Sequence, residues 1–278
     1  MTIVAAWLSE LGTGQRFIEC VADSQVSLND GRGILPLLNT SAKIFPIPII
    51  VRHPGTSGNF DTIHHLHSLG IAFSGSSLIG LNLASTLSAL TSQLNGTNPT
   101  DIPALTDIAC LAMRITSKYV QYLGNAQNGV PLFKAAVLGW CHVTGSYQLI
   151  RFGPASRDNP VIVSEHFDLN PIGTVFLMGN HTSDIQRDIE TYRRGLDGIA
   201  WDNAPKIVIE NIIRNNRYES IGGGFQRGRG FSNGFFLYAV GQPIVEGEPA
   251  ADILFRGLSL FNDIGAVGPC FAGMMGSF

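Results

Sequence analysis

Met1-Thr2-Ile3-Val4-Ala5-Ala6 is the stretch on which the reading of this chain turns. Thr2 directly follows the first methionine and opens a strand-like run, Thr2 to Trp7. Removal of Met1 would give Thr2 a free α-amino group. One residue would then hold both a hydroxyl nucleophile and, in its amine, a base, which is one way to activate a weak nucleophile. With Met1 in place that nitrogen is an amide and the pair is latent. Threonine after an initiator methionine is commonplace, so the rest of the chain has to decide.

The segments that follow are short and apolar. Thr2–Trp7 and Phe17–Ala22 flank a polar, glycine-containing connection, the pattern of a β-hairpin. Asp23–Asp30 reads as a strand end running into a turn, and residues 31–40 as a loop. Ala42–Val51 is rich in β-branched residues but carries Pro46 and Pro48, which places it at a sheet edge or makes it irregular. Arg52–His67 reads as a polar loop, and Gly70–Ser77 as a strand entering a turn. Leu78–Leu94 and Asp101–Leu123 have helical spacing, the second with Asp101 as cap and Pro103 in its first turn. Strands are expected within 130–143, 148–152, 161–168 and 173–178, helices over 183–196 and 204–217, and a last clear strand over 235–240. Ala250–Phe261 has a weaker helical pattern. Grouped strands alternating with grouped helices indicate an α+β fold, with two sheets sandwiched between two helical layers.

Composition bounds the function. The chain has 278 residues, 45% hydrophobic and only 14% charged, against about 25% charged in an average soluble domain. Such a chain has a large core or buries surface against copies of itself. A net charge of −3 gives no footing for nucleic acid. Cys20, Cys110, Cys141 and Cys270 are scattered without a CxxC pair, which suits free thiols in a reducing, cytoplasmic setting. No signal peptide is read at the N-terminus. Residues 69–100 lack charge, yet serines, Asn82 and glycines interrupt them, so a buried strand and packed helix fit better than a membrane span.

Several short patches now fall in a telling order: Thr2-Ile3-Val4, Asp23-Ser24-Gln25-Val26-Ser27, Lys43-Ile44, Phe73-Ser74-Gly75-Ser76 and Met178-Gly179-Asn180. In that order they resemble the proteasome β-subunit and its bacterial homologue HslV, among the N-terminal-nucleophile hydrolases. The resemblance implies a four-layer αββα sandwich and one domain over 1–278, with an insertion near 52–67 and a C-terminal extension near 241–278. It implies that Thr2 attacks a peptide carbonyl, with its α-amine, titrating near pH ~8 when unperturbed, as general base. Lys43 would lower that amine's pKa, Asp23 would hold Lys43 charged, and the Gly75 N–H would stabilise the oxyanion. Asn180 stands where the family has a supporting serine. Ser220 is the candidate partner near the last strand, where an expected aspartate is missing. Ser27 and Ser77 would line the substrate groove, and Val26, Phe45 and Phe73 would border a narrow apolar pocket for the residue before the cleaved bond.

Each residue also has a plainer reading. Asp23 could simply make a turn, Lys43 could snorkel at a sheet edge, and Gly75 could be a turn glycine. The other five could be packing or turn residues. His64-His65-Leu66-His67 offers imidazoles, but no acid or cysteine completes a site, so neither metal nor cofactor is expected. Gly222–Gly224 with Arg227–Gly230 matches no phosphate-binding fingerprint and reads as a flexible loop. No GxSxG elbow is present. The expected function is a threonine peptidase acting on peptides or unfolded proteins as a homo-oligomeric ring, with an ATP-dependent unfoldase as a further partner and no membrane or nucleic acid. The alternatives are a latent structural ring subunit, or another amide-bond enzyme, a ligase or amidase, using Thr2.

Overall fold

The computed structural model describes residues 2–10, 12–29, 33–56, 58–98, 100–127, 129–241, 253–267, 270–271 and 275–277. Met1 lies outside the described residues, as do 242–252 of the C-terminal extension. In chain order the elements begin with strands β1 (Ile3–Glu10), β2 (Arg16–Asp23), β3 (Val26–Asn29), β4 (Ile34–Leu38), β5 (Ile44–His53) and β6 (Thr62–Gly75). Helix α1 (Ser77–Thr91), β7 (Leu94–Asn95) and helix α2 (Leu105–Gln127) follow. Next come β8 (Phe133–Cys141), β9 (Ser146–Pro154), β10 (Ile162–Phe167) and β11 (Val175–Gly179), then α3 (Thr182–Tyr192), α4 (Gly198–Asp202) and α5 (Ala204–Arg214). The chain continues with β12 (Phe225–Phe231), β13 (Gly234–Gly241), β14 (Ile253–Phe255) and β15 (Leu258–Ser259). A π-helical turn (Leu260–Ile264) leads to β16 (Ala266–Val267), β17 (Cys270–Phe271) and β18 (Met275–Ser277).

One large sheet runs β11-β1-β2-β12-β13-β14-β15, with β18 beside β13; the other runs β10-β9-β8-β6-β5-β7. β1 and β2 pair antiparallel with Val4 opposite Ala22, the hairpin their apolar runs predict. Both are buried on both faces, which is why they read as continuous rather than alternating hydrophobic runs. One face of β5, β6 and β8 packs on α1 and α2 through Ile71, Phe73, Leu83, Leu87, Ile108 and Ala112. Val4, Ile18, Ile44, Ala72, Leu138 and Phe235 form a second cluster where the two sheets meet. Ile3, Trp7, Ile185, Ile209 and Ile212 form a third, under α3 and α5. Each fully buried isoleucine or leucine contributes about 1.5–3 kcal/mol of transfer free energy, so these clusters fix the sheet positions.

The structure corrects the expected four-layer αββα sandwich. Strand accounts for 41% and helix for 28%, and the architecture is mostly antiparallel sheet. Three segments shift the balance. Arg52–His67 is no loop: β5 reaches His53, β6 begins at Thr62, and they pair as one long hairpin with a register shift at Val51/Arg52. Residues 34–38, expected in a loop, are β4, paired only with β3 in a separate ribbon. The segment expected to be helical near the C-terminus contains β14 and β15, with Ala250 outside the described residues. The second helix also starts later than expected, at Leu105. Asp101 instead closes the turn before it, accepting from Asn98 N at 2.9 Å, while Asp107 accepts from Ala104 N at 2.9 Å.

Of the glycine-rich segment expected to be a flexible loop, the later part is the central strand β12, while Gly222–Gly224 precede it. Glu19 on β2 is 2% exposed and accepts from Nε and Nη2 of Arg227 and, at 2.9 Å, from Nε of Arg229, its direct cross-strand partner. Among the described residues no helix is long and apolar enough to cross a membrane. No group of three metal-binding side chains occurs among them either. Removing one partner of a buried ion pair strands the other charge at a cost of about 3–5 kcal/mol. Glu19→Ala should therefore destabilise the protein by about that amount in urea unfolding. A loss under about 1 kcal/mol would mean that the pair does little to hold β2 against β12.

Candidate active site

Thr2 sits at the start of β1, fixed on both sides. Its carbonyl accepts from Asn180 N at 3.0 Å, and the next amide, Ile3 N, donates to Asp23 Oδ1 at 3.0 Å. Ile3 pairs with Gly179, and a Cβ on Gly179 would stand 1.8 Å from Thr2 O. Only glycine, with φ at +123°, allows β11 to come this close.

Asp23, the last residue of β2, is completely buried. Besides Ile3 N, it accepts from Gln25 N at 3.2 Å and Gly222 N at 3.4 Å. Burial pushes its carboxyl up to about 6, against the opposing pull of Lys43 and of these backbone donors. Lys43, just before β5, is 1% exposed. Its ammonium donates to Thr2 Oγ1 and to Gln25 O, the latter at 3.0 Å. Burial pulls its pKa down, and the Asp23 carboxylate acts in the other direction. Each charge thus offsets part of the other's desolvation.

Sequence reasoning missed the residue that clamps these segments together. Gln226 on β12 accepts from Lys43 N at 2.9 Å and donates to Asp23 O at 3.2 Å and Ser41 O at 2.7 Å. Gln25 was read only as part of a patch. Its side chain donates to Ser27 Oγ at 2.7 Å and Glu219 O at 2.8 Å, steadying the carbonyl that receives Lys43.

A cleft of about 350 Å³ opens beside Thr2, lined by Gly75, Gly179 and Asn180, with Leu132 and Phe133 on the opposite wall. Gly75 ends β6 with φ at +92°, and a Cβ there would lie 2.2 Å from Leu132 O. Ser76 N donates to Leu132 O at 2.8 Å, and Ser76 Oγ caps α1, so the chain turns from strand to helix at the cleft. Asn180 Nδ2 donates to Ser220 Oγ at 3.3 Å. The fold therefore brings Thr2, Asp23, Lys43, Gly75, Asn180 and Ser220 into one neighbourhood.

Phe73, Phe45, Ser77, Val26 and Ser27, the residues expected to bind substrate, are spread over β6, β5, α1 and β3. Phe73 is buried in the helix-facing core, and Gly80 on α1 comes so close that a Cβ would sit 2.4 Å from its ring. Phe45 is half-buried and stacks on Phe73 with centroids 6.1 Å apart. Ser77 begins α1, while Val26 and Ser27 lie on the β3–β4 ribbon. None of the five lines the cleft beside Thr2.

No family model and no curated protein matches the sequence. Solved structures match the fold. Anbu (ancestral beta-subunit) from Yersinia bercovieri superposes with a TM-score of 0.52 at 13% identity, over 83% of this chain and 82% of that one. The Anbu complex from Pseudomonas aeruginosa, solved as a helical assembly, gives 0.54 at 14% identity, over 90% of this chain and 88% of that one. These findings correct the expected kinship with the proteasome β-subunit and HslV. The structural neighbours are ancestral beta-subunit proteins, a distinct family, and no sequence match supports HslV. The short patches that suggested it sit at strand ends and turns, where a shared element order is enough to line up a few residues. In fold, this chain is similar to the Anbu proteins.

Proposed function

We propose that this chain is a self-assembling hydrolase subunit, related in fold to Anbu, that cleaves peptide bonds with Thr2 as an N-terminal nucleophile once Met1 is removed. The observation that carries this reading is the buried Lys43 ammonium donating to Thr2 Oγ1. An ammonium in the interior is costly unless it is paired and hydrogen-bonded. Here it points at a hydroxyl beside a cleft.

The freed α-amine takes the hydroxyl proton, and Oγ1 attacks the substrate carbonyl. Lys43 stabilises the developing alkoxide, and the Gly75 main-chain N–H serves the oxyanion. Collapse expels the amine product, which takes the proton held by the α-amine. Water then attacks the Thr2 ester, releases the acid and restores the hydroxyl. Asp23 keeps Lys43 charged, and Asn180 with Ser220 supports the Thr2 backbone and amine. Peptide lies extended along the groove, the mode in which a strand adds to a sheet edge. Copies of the chain associate head to tail, closing as a ring or continuing as an open helix, according to whether the rotation closes. A latent scaffold subunit is the second reading, favoured by the burial of Thr2, which is 1% exposed.

Intact mass of the native protein, with and without a peptide epoxyketone, separates the two. Loss of Met1 and a single covalent adduct, absent in Thr2→Ala, is the expected result. Retained Met1 and no adduct would leave the scaffold reading standing. Activity of Thr2→Ala should be abolished, and hydrolysis that persists in a pure sample would rule out this nucleophile.

The buried pair predicts the pH profile. Below about 6 the Asp23 carboxyl gains a proton and Lys43 loses its counter-charge. kcat/KM should therefore rise with pH through about 6, and fall again on the alkaline side before the range of a free lysine, because burial lowers Lys43. In Asp23→Asn the step near 6 should vanish, leaving only the limb set by the Thr2 α-amine in whatever activity remains. An unchanged limb in that variant would remove Asp23 from the mechanism.

A further inference from the structure

The two large sheets part at the end that holds Thr2. Val4 on β1 packs in the cluster between the sheets, so Thr2, two residues earlier, faces the same gap. In the other sheet Ala72 on β6 and Ala136 on β8 are opposed and belong to that same cluster. Ser74 and Lys134 are the next opposed pair on this face, just past the cluster, and both line the cleft beside Thr2. Phe73 and Phe133 alternate with them and pack towards the helices. The pleat therefore delivers the Lys134 side chain between the sheets, on the side of Thr2. It stands next to Phe133, which is opposite Gly75, on a strand about 4.8 Å from the one that ends at Gly75.

The same wall continues into the turn after β9. Gly153 leaves room for the lysine stem: a Cβ there would stand 3.3 Å from Lys134 Cγ and 2.6 Å from Phe133 O. Residues 154–157 follow at the rim of the cleft. Their turn is braced by Ala155 N donating to Val161 O at 2.9 Å and by Asp158 N donating to Ser156 Oγ at 3.2 Å. Arg157 lines the cleft from this turn. The lining thus holds two cations, Lys134 and Arg157, and no acidic side chain. Both cations are exposed, and among the described residues neither makes an ion pair. Glu165, on the neighbouring β10, is taken by Arg151. A cleft lined by one sign of charge concentrates the opposite sign, and a guanidinium fork suits a carboxylate.

We propose that Lys134 and Arg157 form a carboxylate-binding subsite that makes acidic peptides, with aspartate or glutamate within two residues of the cleaved bond, the preferred substrates. This rests on the peptidase reading above. Substrate held with its scissile carbonyl between Thr2 and Gly75 lies against the wall that carries both cations. A glutamate side chain reaches them from there. Glutamine has the same shape without the charge, and lysine is repelled.

The test is a panel of internally quenched fluorogenic peptides that carry Glu, Gln or Lys singly at each of the two positions before and the two after the scissile bond. It is assayed on the full chain and on Lys134→Met, Arg157→Met and the charge reversal Lys134→Glu. At one or more positions wild type should favour Glu over Gln by about tenfold in kcat/KM, the scale of a charge-assisted hydrogen bond. That preference should shrink as salt is raised, because both cations are exposed. At the same position each methionine variant should bring the Glu-to-Gln ratio towards one, and Lys134→Glu should turn the preference towards Lys. The ratio is taken within each variant, so a general loss of folded protein lowers both rates alike and leaves it unchanged. Wild-type cleavage with no Glu preference at any position, or a preference that all three variants retain, overturns this inference alone. Wild type that cleaves no member of the panel overturns the peptidase reading and this inference together.

Discussion

An ammonium buried at the edge of two sheets sets the terms for this structure. Lys43 is 1% exposed, and its charge survives only because three oxygen-bearing groups face it: Thr2 Oγ1, Gln25 O and, through space, Asp23. Those groups come from the start of β1, the end of β2 and the turn after it. The fold must therefore deliver four chain segments to one point with hydrogen-bond accuracy. Gln226 does this directly, bonding Lys43 N, Asp23 O and Ser41 O with one side chain. The strand order β1-β2-β12 in one sheet and the start of β5 in the other are thus coupled through a handful of polar atoms. Hydrophobic clusters place the sheets to within a residue's width; these bonds set the register at the site.

The cleft depends on a second constraint, the absence of side chains. Gly179 lets β11 touch the Thr2 carbonyl, and Gly75 lets β6 close on Leu132. Each has positive φ, and neither leaves room for a Cβ. A methyl group at either position would push apart the walls on either side of the nucleophile. These glycines trade local flexibility in the unfolded chain for backbone contact in the folded one, which is where a substrate backbone would also have to fit.

How much of this was legible in the sequence follows from how far apart the partners lie. The β1–β2 hairpin and α1 follow from local apolar patterns, and they appear almost where expected. β6 was hidden because its first residues, Thr62–Leu66, are half-exposed and rich in histidine, so their alternation carries little hydrophobic signal. β12 was hidden by its glycines. Gly228 and Gly230 make room for the Phe235 ring, with a Cβ on Gly228 falling 2.5 Å from it. Glycine there accommodates packing and does not mark a loop. Thr2, Asp23, Lys43 and Gly75 could be picked out together because their patches keep a recognisable order. Gln226 could not, since its partner Lys43 is 183 positions away and no local pattern links a glutamine in a strand to a lysine in another sheet. The same patches pointed to the wrong relative and to the wrong layering: five short matches in order do not separate one family from another.

The buried cations of this chain show how its charges are settled. Arg227 is 4% exposed and is met by Glu19, which also takes Arg229. Lys43 is met by Asp23 and by two oxygens. In both cases the chain supplies the anion, because an uncompensated charge in the interior would erode a stability that is small to begin with. Half-buried Arg256 is settled differently: its guanidinium lies over the rings of Phe45 and Phe255, and Nη2 donates to Ile44 O. Where no carboxylate is in reach, the negative faces of aromatic rings and a main-chain oxygen hold the charge.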